Sequence, residues 1–130
     1  MKNRLKLAAG VIFLLAVGSA HAGFKITGSV LVDAANRHVI GNVMVTRGAP
    51  DTLSSIGCYL VGFSSGSTIA LCVARNSAGV LGVCSSSAPS VIEAVGNSGP
   101  NSYYDYQWDE SSMCTTVQVN NSSYSGPLQP

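Results

Sequence analysis

Three of the four cysteines lie between Ile56 and Ser86, in a stretch punctuated by two matching turns. Phe63 is followed by Ser64-Ser65-Gly66 and Ser67; Asn76 is followed by Ser77-Ala78-Gly79 and Val80. A three-residue loop with Gly in third place is a type I turn closed by a left-handed residue, where Gly carries no steric cost. The stretch therefore reads as a three-stranded antiparallel meander. Counting back from each turn pairs Cys58 with Cys72 and Cys72 with Cys84. Cys58 and Cys84 then sit two strands apart, roughly 10 Å, beyond the reach of a disulfide. Two connectivities remain. If Phe63 and Ser67 form a hydrogen-bonded pair, alternation places Cys58 and Cys72 on a non-hydrogen-bonded site, where side chains approach more closely. This favours Cys58–Cys72 and Cys84–Cys114 over Cys72–Cys84 with Cys58–Cys114.

Met1 to Ala22 has the three parts of a secretory signal peptide: Lys2, Arg4 and Lys6, then apolar Leu7 to Val17, then Ala20-His21-Ala22 as the cleavage site. The apolar run is short of the roughly 18 residues needed to span a bilayer, and no second such run follows. The mature chain is expected at Gly23, with one domain over 23–120, a polar tail over 121–130, and no membrane insertion. Cleavage removes three of the seven basic residues, leaving four against six acidic ones, a net charge of −2. Lys25, Arg37, Arg47 and Arg75 are scattered and make no footprint for nucleic acid. Export implies an oxidising compartment, secreted or periplasmic, so four cysteines imply two disulfides. The C-x-x-C or Cys/His clustering of a metal site is absent, and nothing in the sequence calls for a cofactor.

Phe24 to Val32 alternates as a half-buried strand, and His38 to Thr46 reads as a second strand with a bulge at Gly41-Asn42. Arg47 to Ser55 is a loop suited to crossing between sheet edges. In the meander, Tyr59, Val61, Phe63, Ile69, Leu71, Val73, Leu81 and Val83 form a bulky face; Cys58, Leu60, Ala70, Cys72, Ala74, Gly82 and Cys84 form a small one. Strands apolar on both sides are usually covered on both. A single short helix, entered at Ser87 or Ala88 and ended at Gly96, would cover the small face with Val91, Ile92 and Val95. Ser102 to Trp108 and Met113 to Asn120 read as the last two strands. The fold class is thus mainly β, an antiparallel meander or sandwich of six to seven strands with one short helix.

Ile56-Gly57-Cys58, Cys72-Val73-Ala74-Arg75, Cys84, Trp108-Asp109, Cys114 and Asn120-Asn121-Ser122-Ser123-Tyr124 follow one another in an order that resembles small exported four-cysteine bacterial proteins of unassigned function. The resemblance implies no activity. It implies only that the cysteine layout is a family trait.

The inventory for catalysis is thin. His38 is the one histidine after cleavage, and no nucleophile–base set surrounds it in sequence. Asp105, Asp109 and Glu110 read as a solvated turn, with a weak calcium site or a glycosidase-like pair as alternatives. Tyr104, Tyr106 and Trp108 share one strand face. Exposed, they would be a platform for stacking on sugar rings or gripping a protein. The polar residues opposite, Asp105 and Gln107, predict instead that the aromatic row is the buried face. The expectation is a non-enzymatic binding module at the cell surface or on extracellular material, with a protein or polysaccharide partner. The alternatives are a structural subunit of an extracellular layer or fibre and an inhibitor of a secreted enzyme.

Overall fold

A computed structural model describes residues 30–122. The expected signal peptide, most of the Phe24–Val32 strand, and the tail beyond Ser122 lie outside them. Among the described residues seven strands form two antiparallel sheets. The first sheet has the order β1 (Leu31–Asp33), β2 (His38–Asn42), β6 (Tyr103–Trp108), β7 (Cys114–Asn120); the second is the meander β3 (Ser55–Gly62), β4 (Thr68–Arg75), β5 (Leu81–Ser86). Among the described residues no helix is long and apolar enough to cross a membrane.

The meander has the expected register, with Cys58 opposite Cys72 and Cys72 opposite Cys84. Both turns close as read: Phe63 N–H donates to Ser67 O at 2.8 Å and Asn76 N–H to Val80 O at 3.1 Å. Gly66 and Gly79 take φ of 89° and 82°, the left-handed region where a Cβ would be strained. The disulfides are Cys58–Cys72 and Cys84–Cys114, with Cα–Cα distances of 4.1 and 5.0 Å. The first staples two neighbouring strands of one sheet. The second joins the two sheets.

Two expectations fail. The strand predicted over His38–Thr46 stops at Asn42, and α1 (Val43–Arg47) follows. The β-branched run favours a strand, but Asn42 is a strong helix N-cap. Its Oδ1 accepts Val45 N–H at 3.1 Å, and its carbonyl accepts the Thr46 hydroxyl at 2.7 Å. Gly41 is a close approach and not a bulge: a Cβ there would lie 3.0 Å from Ile56 Cδ1. The chain from α1 through Ser54 then crosses from one sheet to the other, as the Arg47–Ser55 loop predicts.

The second correction concerns the meander's bulky face: cover is expected on both faces, and only the small one has it. The small face looks inward: Ala70, Cys72, Ala74 and Cys84 are buried, and the bulky face is open to solvent. The cause lies in the opposing sheet. Tyr104 and Tyr106 fill the gap between sheets, and a gap of about 10 Å leaves only Ala, Gly and Cys volumes opposite them. Helix α2 (Pro89–Gly96) begins and ends where predicted and buries Val95, with Val91 and Ile92 packed against the core. Its hydrogen-bonded entrance is set by Ser86, whose hydroxyl accepts Ala88 N–H at 3.1 Å.

Candidate functional site

The aromatic row is not a platform. Tyr104 is 3% exposed and Tyr106 0%, while Trp108 is half-buried against the core, its ring centroid 6.0 Å from that of Tyr106. The Tyr106 hydroxyl donates to Gly82 O across the sandwich at 2.8 Å, which satisfies a polar tip at the bottom of an apolar core. Burial raises the Tyr106 phenol well above its ordinary range. Tyr104 and Tyr106 are thereby committed to the interior between the two sheets.

The acidic stretch disperses into three separate roles. Asp109 Oδ1 accepts Ser111 N–H at 2.8 Å and Met113 N–H at 3.0 Å, closing the β6–β7 turn. Glu110 meets Arg37 at 3.1 Å on an exposed surface, a pair of little energetic weight. Asp105 sits 2.8 Å from His38 Nε2, both about 30% exposed. The sequence conceals this last pair, because it depends on β2 lying beside β6 with Ile40 opposite Asp105. The pair links neighbouring strands β2 and β6 on the outer face of the first sheet. Among the described residues these three carboxylates are not gathered into one metal-ligating group.

The cysteines are all bridged among the described residues. Sγ atoms of Cys72, Cys84 and Cys114 lie within 4.8 Å of one another, but each is committed to a disulfide and offers no thiolate to a metal. A depression beside the start of β3 is lined by Val43, Thr46, Arg47, Ser54, Ser55 and Ile56. Its volume is ≈ 210 Å³, below the roughly 300 Å³ at which ligand pockets begin.

What remains is the outer face of the meander. Tyr59, Phe63, Leu81 and Val83 are 51%, 49%, 53% and 38% exposed. Val61, Ile69, Leu71 and Val73 lie between them and are half-buried. Cross-strand pairing makes the patch continuous: Tyr59 faces Leu71, Val61 faces Ile69, and Val73 faces Val83. Exposed Met113 extends it through the bridge to Ser85. Arg75, at one end, is its only charge. The exposed apolar area is on the order of 500 Å², as large as the largest patches on ordinary monomers and of the kind that marks an interaction site.

Comparison with protein-family models, curated proteins and solved structures finds no match to this chain.

Proposed function

We propose that this is an exported, non-enzymatic interaction module, secreted or periplasmic, that binds a partner through the outer face of β3–β4–β5. The observation that carries the reading is the continuous apolar patch, which the domain does not need for its own core. An uncovered patch of this size costs solubility unless it is used. Two disulfides fit an oxidising compartment. The chemistry favours a protein partner over a polysaccharide. The face is mostly aliphatic, and it lacks the side-chain amides and carboxylates that would bind sugar hydroxyls. Tyr59 and Phe63 are its natural anchors, since aromatic side chains dominate binding energy at interface centres.

The test is a pull-down from the native secretome and envelope with mature Gly23–Pro130 and its Val83→Lys variant. Val83 lies within the patch on β5, opposite Val73 of the central strand, with 38% exposure, so the charge should leave the melting temperature nearly unchanged and abolish retention of the partner. Equal retention by both proteins refutes the assignment of this face.

A further inference from the structure

The two disulfides are neighbours. The Sγ atoms of Cys72, Cys84 and Cys114 lie within 4.8 Å of one another. The bridge that closes the meander, Cys58–Cys72, therefore lies beside the bridge that joins the sheets, Cys84–Cys114. Cys72 and Cys84 are also directly opposite on β4 and β5. Asn76 N–H donates to Val80 O, and alternation from that pair makes Cys72 and Cys84 a hydrogen-bonded pair, with Cα atoms about 5.5 Å apart. That separation is inside the range a disulfide spans. A Cys72–Cys84 bond thus requires no change of register. Cys58 and Cys84 are two strands apart, roughly 10 Å, and do not share this property.

Burial orders the four sulfurs. Cys114 is half-buried and follows exposed Met113. Cys58 is 9% exposed, Cys84 1% and Cys72 0%. A thiol arriving from solvent meets Cys114 first, and the two innermost cysteines are the two that face each other. The order Cys114, Cys84, Cys72, Cys58 is therefore continuous, with a bond at each end and a gap within 4.8 Å in the middle.

We infer that these sulfurs form a thiol–disulfide exchange relay, with Cys114 the modification site for a low-molecular-weight thiol. The incoming thiolate bonds to Cys114 Sγ and breaks Cys84–Cys114, and the electron pair leaves on Cys84 Sγ. The Cys84 thiolate then attacks Cys72 Sγ. Cys72–Cys84 forms, Cys58–Cys72 breaks, and the electron pair leaves on Cys58 Sγ. Cys58 takes up the proton that the incoming thiol gave up. Two S–S bonds are present before and two after, one of them now to the added thiol at Cys114. Nothing is oxidised or reduced overall, so an oxidising compartment does not oppose the reaction; exchange needs only a thiolate and access. Burial sets its direction. A thiolate at Cys84 stands in the apolar core, where desolvation penalises charge, and transfer moves the charge to the less deeply buried Cys58. The covalent link between the sheets opens, while the meander keeps a bridge, shifted from β3–β4 to β4–β5. The inference rests on sulfur positions and is independent of what the outer face of the meander binds.

The test is incubation of the mature, oxidised protein with reduced glutathione under native conditions. The reaction is quenched with acid, free thiols are alkylated at low pH in denaturant, and the product is mapped by peptide mass spectrometry. The expected species carries glutathione on Cys114, the alkyl label on Cys58 and a Cys72–Cys84 disulfide. The Cys114→Ser variant frees Cys84 with no added thiol; part of its label should shift from Cys84 to Cys58 as Cys72–Cys84 forms. The wild-type reaction keeps the inference testable if this variant does not fold. Glutathione on Cys114 with the label on Cys84 and Cys58–Cys72 intact overturns the inference, because no transfer has then occurred. So does attachment at Cys58, or a wild-type protein left unmodified. Random pairing that includes Cys58–Cys84 marks exchange through the unfolded chain and overturns it too. In folded Cys114→Ser, label confined to Cys84 has the same force.

Discussion

Gly82→Ala should be among the most damaging one-methyl changes in this chain. Gly82 lies on β5, buried and facing the other sheet. A Cβ there would stand 2.5 Å from Val39 Cγ2, 3.0 Å from the Trp108 ring and 3.3 Å from Val32 Cγ1. Val39 is 0% exposed and β-branched, so it has no rotamer into which to retreat. Overpacking of this kind costs about 1–3 kcal/mol, and the close contact puts Gly82 at the upper end. Loss of the unfolded chain's glycine freedom returns about 0.4–1 kcal/mol. The net expectation is a loss of about 2 kcal/mol, a fall in melting temperature of roughly 8–16 °C for a domain near 100 residues. Circular dichroism melting of the oxidised protein reads this directly. Gly57→Ala is the control: it sits in β3 with nothing within 4 Å of its Cβ position, and should leave stability unchanged or slightly raised. In a double-mutant cycle Gly82→Ala should cost less in a Val39→Ala background, because the closest atom is gone. A Gly82→Ala protein that melts with the wild type, or strict additivity with Val39→Ala, refutes the account of how the sheets pack.

Replacing both cysteines of either disulfide with Ala should destabilise the domain by about 2–5 kcal/mol, read by denaturant titration; the bridges span 14 and 30 residues. Trp108→Ala should cost about 2–4 kcal/mol, somewhat below a fully buried aromatic, and wild-type emission should be blue-shifted with partial acrylamide access. Asp33 and Asp51 both have carboxyls held below their ordinary pKa. The first is held by the Asn36 side chain and the second by the Ser54 N–H, with the Ser54 hydroxyl and other N–H groups assisting. A depressed folded pKa adds stability that is present above the unfolded value and is lost as pH falls through the folded one. Melting temperature should therefore decline on acidification below about pH 4, and Asp51→Asn should make that decline shallower.

The sequence by itself determined everything that depends on local counting. Two glycines in the third place of their turns fixed the register of β3, β4 and β5. The register then fixed which cysteines face each other, and hydrogen-bond alternation chose Cys58–Cys72. Pro89 and Gly96 bounded α2 in the same way. Asn42 carried a local signal too, a helix cap, but it was outweighed by the valines around it. The tertiary structure alone decided which way the meander faces. Both of its surfaces are apolar, so periodicity predicts cover on both and cannot say which is left open. The choice was made by Tyr104 and Tyr106 on a strand far away in sequence. They occupy the space between the sheets and admit only Ala, Gly and Cys opposite. The same long-range pairing brought Asp105 to His38. It left the bulky face of the meander in water, and so moved the candidate binding surface from the aromatic row of β6 to the outside of the other sheet.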